Sequence, residues 1–214
     1  MKSKLGIVCI ILGVVLISGA LFLALYNMHE ENTAQEAVVS IMPQLMEKIE
    51  TNKGIAPTDP ENGATPDLEL KIPVELLTEE DKKMAEIEID GYPYIGYLSM
   101  PTLEKELPIM STWSYPQLKI APCRYSGSLR GEDLVLMAHN YVSHFGPISR
   151  LEIGDPVIFT DVYGNVTEYE VVGKDILDPS AVDAMTAGDF DLTLFTCTYG
   201  GSSRVTVYCE LVRS

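Results

Sequence analysis

A cysteine and an arginine near the C-terminus stand at a spacing that could support nucleophilic chemistry. Cys197 ends the apolar segment DLTLFTC, and Arg204 opens the next one, RVTVYCELV, seven residues later. The intervening TYGGSS predicts a tight turn between antiparallel strands, which would bring the two side chains alongside each other. A cysteine reacts as its thiolate, and a nearby positive charge favours that form. The bland alternative is a buried cysteine that acts only as a small hydrophobe.

Histidine is the most common general acid or base beside such a nucleophile, and the chain has three. His29 lies near the N-terminal apolar run, which leaves His139 and His144 as candidates. His139 ends the apolar segment DLVLMAH. At the end of a strand, its imidazole ring could face a cleft. The alternative for His139 is a core or rim histidine satisfied by local hydrogen bonds. We expect His144, beside Phe145, to be a loop residue at the rim of the groove.

Composition excludes several classes of protein. The chain has 214 residues, with 31 Asp or Glu against 15 Lys or Arg, and a formal net charge of −16. This balance argues against a nucleic-acid partner, because phosphate binding needs clustered Lys and Arg. Four cysteines without a CxxC pair support neither a disulfide-stapled miniprotein nor a structural zinc site. We predict no metal and no cofactor.

The remaining cysteines and the scattered acids have weaker interpretations. Cys123 and Cys209 could form a disulfide in an exported protein. Cys209 alternates with apolar residues along a strand, however, so a buried free thiol is favoured. Acids flanking residues 177–191 could bind calcium, but scattered acids in an acidic chain are weak evidence for a site.

The N-terminal apolar run predicts a membrane anchor. Residues 5–26 contain 22 residues without a charge, which as a helix reach about the 30 Å of a hydrocarbon core. Lysines precede the run and acids follow it, so the positive-inside rule places residues 1–4 in the cytoplasm. The run is longer than the apolar region of a cleaved signal peptide and has no small-x-small exit. We therefore predict an uncleaved signal anchor.

A helix and a linker are predicted after this anchor. Apolar residues recur at helical spacing over 33–50, and Pro43 predicts that the amphipathic helix is kinked or short. Prolines and glycines give residues 51–75 the composition of a linker. A second short helix is predicted from an N-cap at Thr78 to about Glu88.

From Gly91 onward, short apolar runs alternate with turn residues. Six of the runs have the composition of strands: YIGYLSM, DLVLMAH, DPVIFTD, TEYEVVGKDIL, DLTLFTC and RVTVYCELV. Their regular recurrence with few helical intervals predicts a small β-barrel or sandwich. The longest gap, residues 177–191, is predicted to be a loop that holds one helical turn.

Three of these segments resemble the sortase family. LTLFTCTYGGSSR is similar to the family signature, in which a strand reading TLxTC carries the catalytic cysteine and an arginine opens the next strand. LVLMAHNYVSHFGPISRLEIGDPVIF resembles the histidine region, where a strand ends in His-Asn and a Gly-Asp turn follows. EIDGYPYIGYLSMPTLEKELPIM is similar to the family's first strand, and the membrane anchor also fits. The resemblance covers about residues 86–214.

The resemblance implies a mostly β fold, an eight-stranded closed β-barrel with short helices. The expected organisation is a cytoplasmic tip at 1–4, a transmembrane helix at 5–26, a helical and linker stalk at 27–76 and a catalytic barrel at 77–214. The Cys-Thr-Tyr sequence and the helical N-terminal region lean mildly towards class B sortases. A pilin-type lid over the active site is not expected unless residues 51–75 fold back.

The resemblance also implies a transpeptidase. Cys197 would attack a Thr-Gly-type bond in an LPxTG-like C-terminal sorting signal and form a thioester. His139 would protonate the leaving amine and then deprotonate the incoming one, while Arg204 would hold the substrate and stabilise the oxyanion. Further substrate or oxyanion contacts are expected at Thr196, Thr198 and Asn140. Ordinary cysteine and histidine pKa values leave few molecules as the thiolate–imidazolium pair at neutral pH, so a slow enzyme is expected.

The implied partners are sorting-signal peptides of secreted proteins and an amine acceptor from a peptidoglycan precursor or a pilin. The implied location is the membrane of a Gram-positive-type cell surface, with the C-terminal domain outside. Two alternatives stay open. One is a Cys/His endopeptidase that resolves the thioester with water, and the other is a catalytically silent, membrane-tethered barrel that binds peptides.

Overall fold

The computed structural model describes residues 2–53, 78, 80 and 82–213 as one long helix followed by a β-rich region. The helices are α1 (Lys2–Asn52), α2 (Tyr115–Leu118) and α3 (Val182–Thr186), and 3₁₀ turns cover Pro101–Leu103 and Gly146–Arg150. The strands are β1 (Ile87–Ile89), β2 (Tyr92–Met100), β3 (Lys105–Met110), β4 (Cys123–Ser126), β5 (Leu134–Ala138), β6 (Pro156–Asp161), β7 (Val166–Leu177), β8 (Leu192–Cys197) and β9 (Arg204–Leu211). Most of the predicted linker at 51–75 lies outside the described residues.

Eight of these strands form a closed barrel. They follow the order β2-β3-β4-β5-β8-β9-β7-β6, and β6 pairs back with β2. Neighbouring strands are antiparallel except for the β3/β4 and β5/β8 pairs, which are parallel. Strand β1 lies outside the ring as the hairpin partner of β2. The eight-stranded closed barrel implied by the resemblance is confirmed.

Closure of the barrel depends on a glycine in β2. Gly96 pairs with Asp161 of β6 on one side and with Ile109 of β3 on the other. Its φ is +142°, and a Cβ at this position would stand 2.0 Å from the backbone oxygen of Thr160. Only glycine lets the two backbones approach so closely at this angle.

All six strands predicted from the apolar runs are present, and α3 supplies the helical turn predicted within 177–191. The predicted helix ending near Glu88 is wrong over its described part. Lys82 lies in a turn, residues 83–86 have no regular structure, and β1 begins at Ile87. In β1 the buried residues alternate with an exposed one. This period of two suits a strand that pairs with β2.

The second half of α1 packs on the barrel. The residues at helical spacing are buried against β1, β3 and the strand ends around them: Ala34, Val38, Ile41, Leu45 and Ile49. Helix α1 is continuous through the exposed Pro43, so the predicted short helix is wrong. Burial of apolar side chains on both sides of Pro43 offsets the hydrogen bond that proline removes. Part of the segment predicted to be a stalk therefore belongs to the core, and the domain boundaries stay predictions.

We expect Leu45→Ala to lower the free energy of unfolding by about 3 kcal/mol, because Leu45 is fully buried in this contact. Denaturant titration of the full chain measures the change. Val39→Ala is the matched control on the same helix, since Val39 is 66% exposed and its loss should cost little. Equal effects of the two substitutions would mean that α1 is not packed on the barrel.

The first half of α1 makes no such contact over residues 6–26, whose side chains the structure describes. The apolar side chains there are exposed, as in Ile17 at 71% and Phe22 at 67%. The helix is long and apolar enough to cross a membrane, with a mean hydropathy of 3.0 over its most apolar 18 residues. This is the membrane-anchor candidate that the sequence predicts.

Candidate active site

Cys197 ends β8 and Arg204 begins β9, and the two residues are direct partners in the antiparallel pair. The turn between them is held by Thr198, whose N–H donates to Ser203 O at 2.9 Å and whose Oγ1 accepts from Ser203 N–H at 3.1 Å. Both glycines of the turn have positive φ, a region that other residues rarely adopt. The tight return predicted from the spacing is confirmed, and it puts Cys197 and Arg204 side by side.

Parallel pairing brings His139 to the same edge of the barrel. Strands β5 and β8 run in register, with Ala138 opposite Thr196. The next residues along the two strands are His139 and Cys197, so both lie at the same edge of the barrel. Thr196 Oγ1 locks this register by donating to Ala138 O at 2.9 Å. The proximity of His139 to Cys197 thus follows from the barrel topology.

Cys197, His139 and Arg204 line one surface cleft of about 200 Å³, which we call the Cys197 cleft. The other lining residues are mostly apolar: Trp113, Tyr115, Leu118, Tyr125, Met137, Ala138, Pro179, Val182, Met185, Phe195 and Thr196. Three of them, Pro179, Val182 and Met185, come from the loop at 177–191. A concave, apolar surface with a few convergent polar groups is typical of a binding site.

Aromatic rings form one side of the Cys197 cleft. Trp113 stacks on Tyr125 with ring centroids 5.7 Å apart, and Tyr125 meets the edge of Phe195 at 5.4 Å. Tyr115 packs edge-on against Trp113 and is 74% exposed. None of these aromatic residues was predicted from the sequence. The signal that could have found them is the only tryptophan of the chain, followed by Tyr115 and Tyr125 in a turn-rich segment.

His139 is half-buried, and its ring is tilted against that of Tyr141 with centroids 4.9 Å apart. Burial lowers the pKa of His139 from its ordinary value of 6.5. The Glu30 carboxylate partly opposes this fall in pKa, whereas the Lys119 ammonium reinforces it. The neutral imidazole is therefore favoured at neutral pH, so few molecules carry a protonated His139 ready to donate.

Two of the oxyanion donors implied by the resemblance, at Thr196 and Thr198, already donate hydrogen bonds within the protein. The Thr198 N–H donates to Ser203 O, and the Thr196 hydroxyl is buried and donates to Ala138 O. Neither group is free to stabilise a developing oxyanion as the structure stands. Asn140 follows His139 at the barrel edge and is half-buried, but it does not line the Cys197 cleft. Arg204 is then the remaining donor among the residues singled out from the sequence.

The expected position of His144 at the rim of the groove is wrong. His144 is fully buried, and its burial lowers its pKa to about 4. The loop after His139 turns back on itself, because both His144 N–H and Gly146 N–H donate to Tyr141 O. This turn tucks His144 beneath Tyr141, with ring centroids 5.4 Å apart.

Cys197 differs from the two other thiols of the β-rich region, Cys123 and Cys209. Cys123 and Cys209 are buried and unpaired, and burial raises the pKa of each to about 12. The predicted buried free thiol at Cys209 is confirmed. Cys197 is partly exposed in its cleft. Across the described part of the chain, no group of three or more acidic, histidine or cysteine side chains could hold a metal ion.

Comparison with known proteins identifies the family. The sequence matches the family model described as the sortase domain over residues 98–212, more than half of the chain. The chain therefore belongs to the sortase family. No match was found among curated proteins.

Solved sortase structures share the fold. Sortase A from Corynebacterium diphtheriae is 20% identical, with a TM-score of 0.53 over 92% of this chain and 96% of that one. Sortase C1 from Streptococcus agalactiae is 21% identical, with a TM-score of 0.51 over 65% of this chain and 79% of that one. At this identity the likeness concerns the fold, and the class of this sortase stays a prediction.

Proposed function

We propose that the protein is a membrane-anchored cysteine transpeptidase that acts on the sorting signals of secreted proteins. The observation that supports this most is the convergence of Cys197, His139 and Arg204 on one apolar cleft, from three different strand ends. A binding protein would need apolar walls but no thiol, imidazole and guanidinium together.

In the first half-reaction, the Cys197 thiolate attacks the carbonyl carbon of the scissile bond in an LPxTG-like signal. A C–S bond forms, and the C–N bond breaks as His139 donates its proton to the departing amine. Arg204 faces the developing oxyanion. Its Nη1 donates to Gly201 O and Ser203 O at 3.2 Å each, which anchors the guanidinium at the strand start. The planar group carries further N–H donors for the substrate.

In the second half-reaction, an amine attacks the thioester. Neutral His139 accepts a proton from that amine, the new C–N bond forms, and the C–S bond breaks to release the Cys197 thiolate beside the protonated His139. The acceptor is an amine of a peptidoglycan precursor or of a pilin. Apolar walls suit this chemistry, since they limit the access of water to the acyl-enzyme.

The proposed location is the outer face of a Gram-positive-type cell membrane. Residues 5–26 would span the bilayer, with the basic residues 1–4 on the cytoplasmic side. The barrel would then lie outside, where secreted proteins and cell-wall precursors meet.

The test uses the full chain in lipid nanodiscs, because α1 belongs to the core. LPxTG-like and NPxTN-like peptides are mixed with the protein and an amine acceptor, and intact-mass spectrometry follows protein and products. We expect an acyl adduct on Cys197 and an amine-linked product. Cleavage without amine incorporation would instead indicate the endopeptidase. Peptide binding with neither adduct nor cleavage would indicate the silent barrel.

Arg204→Lys should lower kcat/KM by about 10²-fold, because it keeps the charge but loses the planar array of donors. The initial rate of amine-linked product formation measures the effect. Arg130→Lys makes the same change at an exposed position and should leave the rate unchanged. Full activity in Arg204→Lys would mean that a point charge suffices at this position.

A further inference from the structure

Helix α1 reaches beyond its apolar half to touch the loop that follows His139, residues 139–145, here called the His139 loop. Tyr141 OH donates to Glu30 Oε2 at 3.3 Å, and Val142 N–H donates to Glu31 Oε1 at 3.0 Å. Each bond joins residues 111 positions apart in the chain. Two consecutive acids of the anchor helix thus bind two consecutive residues of the His139 loop.

Two further groups, the Lys119 ammonium and the Tyr26 hydroxyl, contact the Glu30 carboxylate. Lys119, which caps α2, places its Nζ 2.5 Å from Glu30 Oε1. Tyr26 OH donates to the same oxygen at 2.8 Å. Hydrogen bonding from Lys119 lowers the pKa of Glu30, so the carboxylate is ionised at neutral pH. The side chain of Glu30 is only 24% exposed, whereas that of Lys119 is 52% exposed.

The side chain of Tyr141 connects the hydrogen bonds around Glu30 to the imidazole of His139. The Tyr141 ring that bonds Glu30 through its hydroxyl also lies 4.9 Å from the His139 ring, centroid to centroid. Movement of Tyr141 would therefore change the surroundings of His139 directly.

We propose that Glu30 is a positioning residue for proton transfer, whose carboxylate, clamped by Lys119, holds Tyr141 and thereby sets the orientation of His139 at the Cys197 cleft. The proposal rests on the proposed function, because it takes His139 as the proton donor and acceptor. It assigns a role in catalysis to the membrane-anchor helix, outside the matched sortase domain at 98–212.

Electrostatics point in the same direction as the geometry. The charged or titratable groups around His139 are Glu30 from α1, Lys119 after α2, Tyr141 and His144 from the His139 loop, and Cys197 and Arg204 across the cleft. Glu30 raises the pKa of His139 and Lys119 lowers it. If the thiolate–imidazolium pair is the reactive form, each unit by which the His139 pKa falls removes about tenfold of that form.

The test measures the pKa of His139 by NMR titration of the full chain, which contains only three histidines. Glu30→Gln should lower this pKa, and Lys119→Gln should raise it. Glu36→Gln is the matched control, since Glu36 is an exposed acid on the same helix without a hydrogen bond or ion pair within the described residues. It should leave the pKa where it is.

The same variants are then compared in the amine-transfer assay. Glu30→Gln should lower kcat about two- to tenfold with little change in KM, and it should move the acid limb of the pH profile to lower pH. A purely structural contact would lower the amount of folded enzyme without moving that limb. If Glu30→Gln proves unstable, Tyr141→Phe removes the hydroxyl and keeps the ring, and the same fall in kcat is expected.

The outcomes separate this proposal from the proposed function. A wild-type chain that transfers amines, with kcat and His139 titration unchanged in Glu30→Gln, overturns the role of Glu30. In the other outcome, none of the peptides acylates the wild-type chain, yet the His139 pKa shifts in opposite directions in Glu30→Gln and Lys119→Gln. That result overturns the proposed function and keeps the coupling of Glu30 to His139.

Discussion

Cys197→Ala is expected to abolish amine transfer, with a fall in kcat/KM of about 10⁴-fold or more, because no other group in the cleft can form the thioester. Peptide affinity should be nearly unchanged, since the alanine removes one sulfur from a cleft whose walls are apolar. Product formation measures the first quantity. The fluorescence of Trp113 can measure the second, because it is the single tryptophan of the chain and lines the cleft.

Cys9→Ala is the control for this loss. Cys9 is exposed on the apolar part of α1, so its removal should leave transfer at the wild-type rate. An acyl adduct that persists in Cys197→Ala would move the nucleophile to another residue and contradict the assignment.

His139→Gln is expected to lower kcat/KM by about 10²- to 10⁴-fold, the usual contribution of a general acid or base. Its effect on the pH profile is more informative. In the wild type, activity should fall as the pH drops through the His139 pKa, which burial places below 6.5. Glutamine cannot titrate, so the inflection of the acid limb at the His139 pKa should disappear in the variant, and only the pH dependence of thiolate formation should remain. Initial rates measured between about pH 4 and 9 test both expectations.

The matched control is His29→Gln, which changes an exposed histidine near the membrane anchor. It should keep both the rate and the acid limb. If the acid limb of His139→Gln kept its wild-type inflection, another group would be titrating there, and the proton transfer assigned to His139 would be wrong.

Sequence patterns predicted six of the strands, β2 and β5 to β9, but not the other three. The signal is clearest in β5 and β8, whose apolar runs are nearly continuous because almost all of their residues are buried. Strand β3 contains Pro108, β4 has only four residues, and β1 lies in the charged segment EIEID. These segments become strands because partner strands provide hydrogen bonds and burial, neither of which a local pattern records.

The residues of the site also differ in how far the sequence alone predicts their proximity. Cys197 and Arg204 are close in the chain, so turn chemistry alone predicts their proximity. His139 reaches them through the parallel β5/β8 pair, whose register depends on the whole barrel. Glu30 comes from a helix more than 100 residues away, and the aromatic wall at Trp113 and Tyr125 forms only when β4 joins the sheet. Long-range packing of this kind leaves no periodic signal in the sequence.

If residues 5–26 span the bilayer as proposed, the contact between Glu30 and the His139 loop sets the height of that loop above the lipid. Tyr26 closes the apolar run, and Glu30 follows one helical turn later, about 6 Å along the helix axis. With residues 5–26 in the bilayer, α1 would hold Glu30, and the His139 loop bonded to it, at about this height above the end of the apolar run. An extended chain covers this height with about two residues. A substrate still anchored by its own apolar tail could then present its scissile bond directly, without a long spacer between tail and signal.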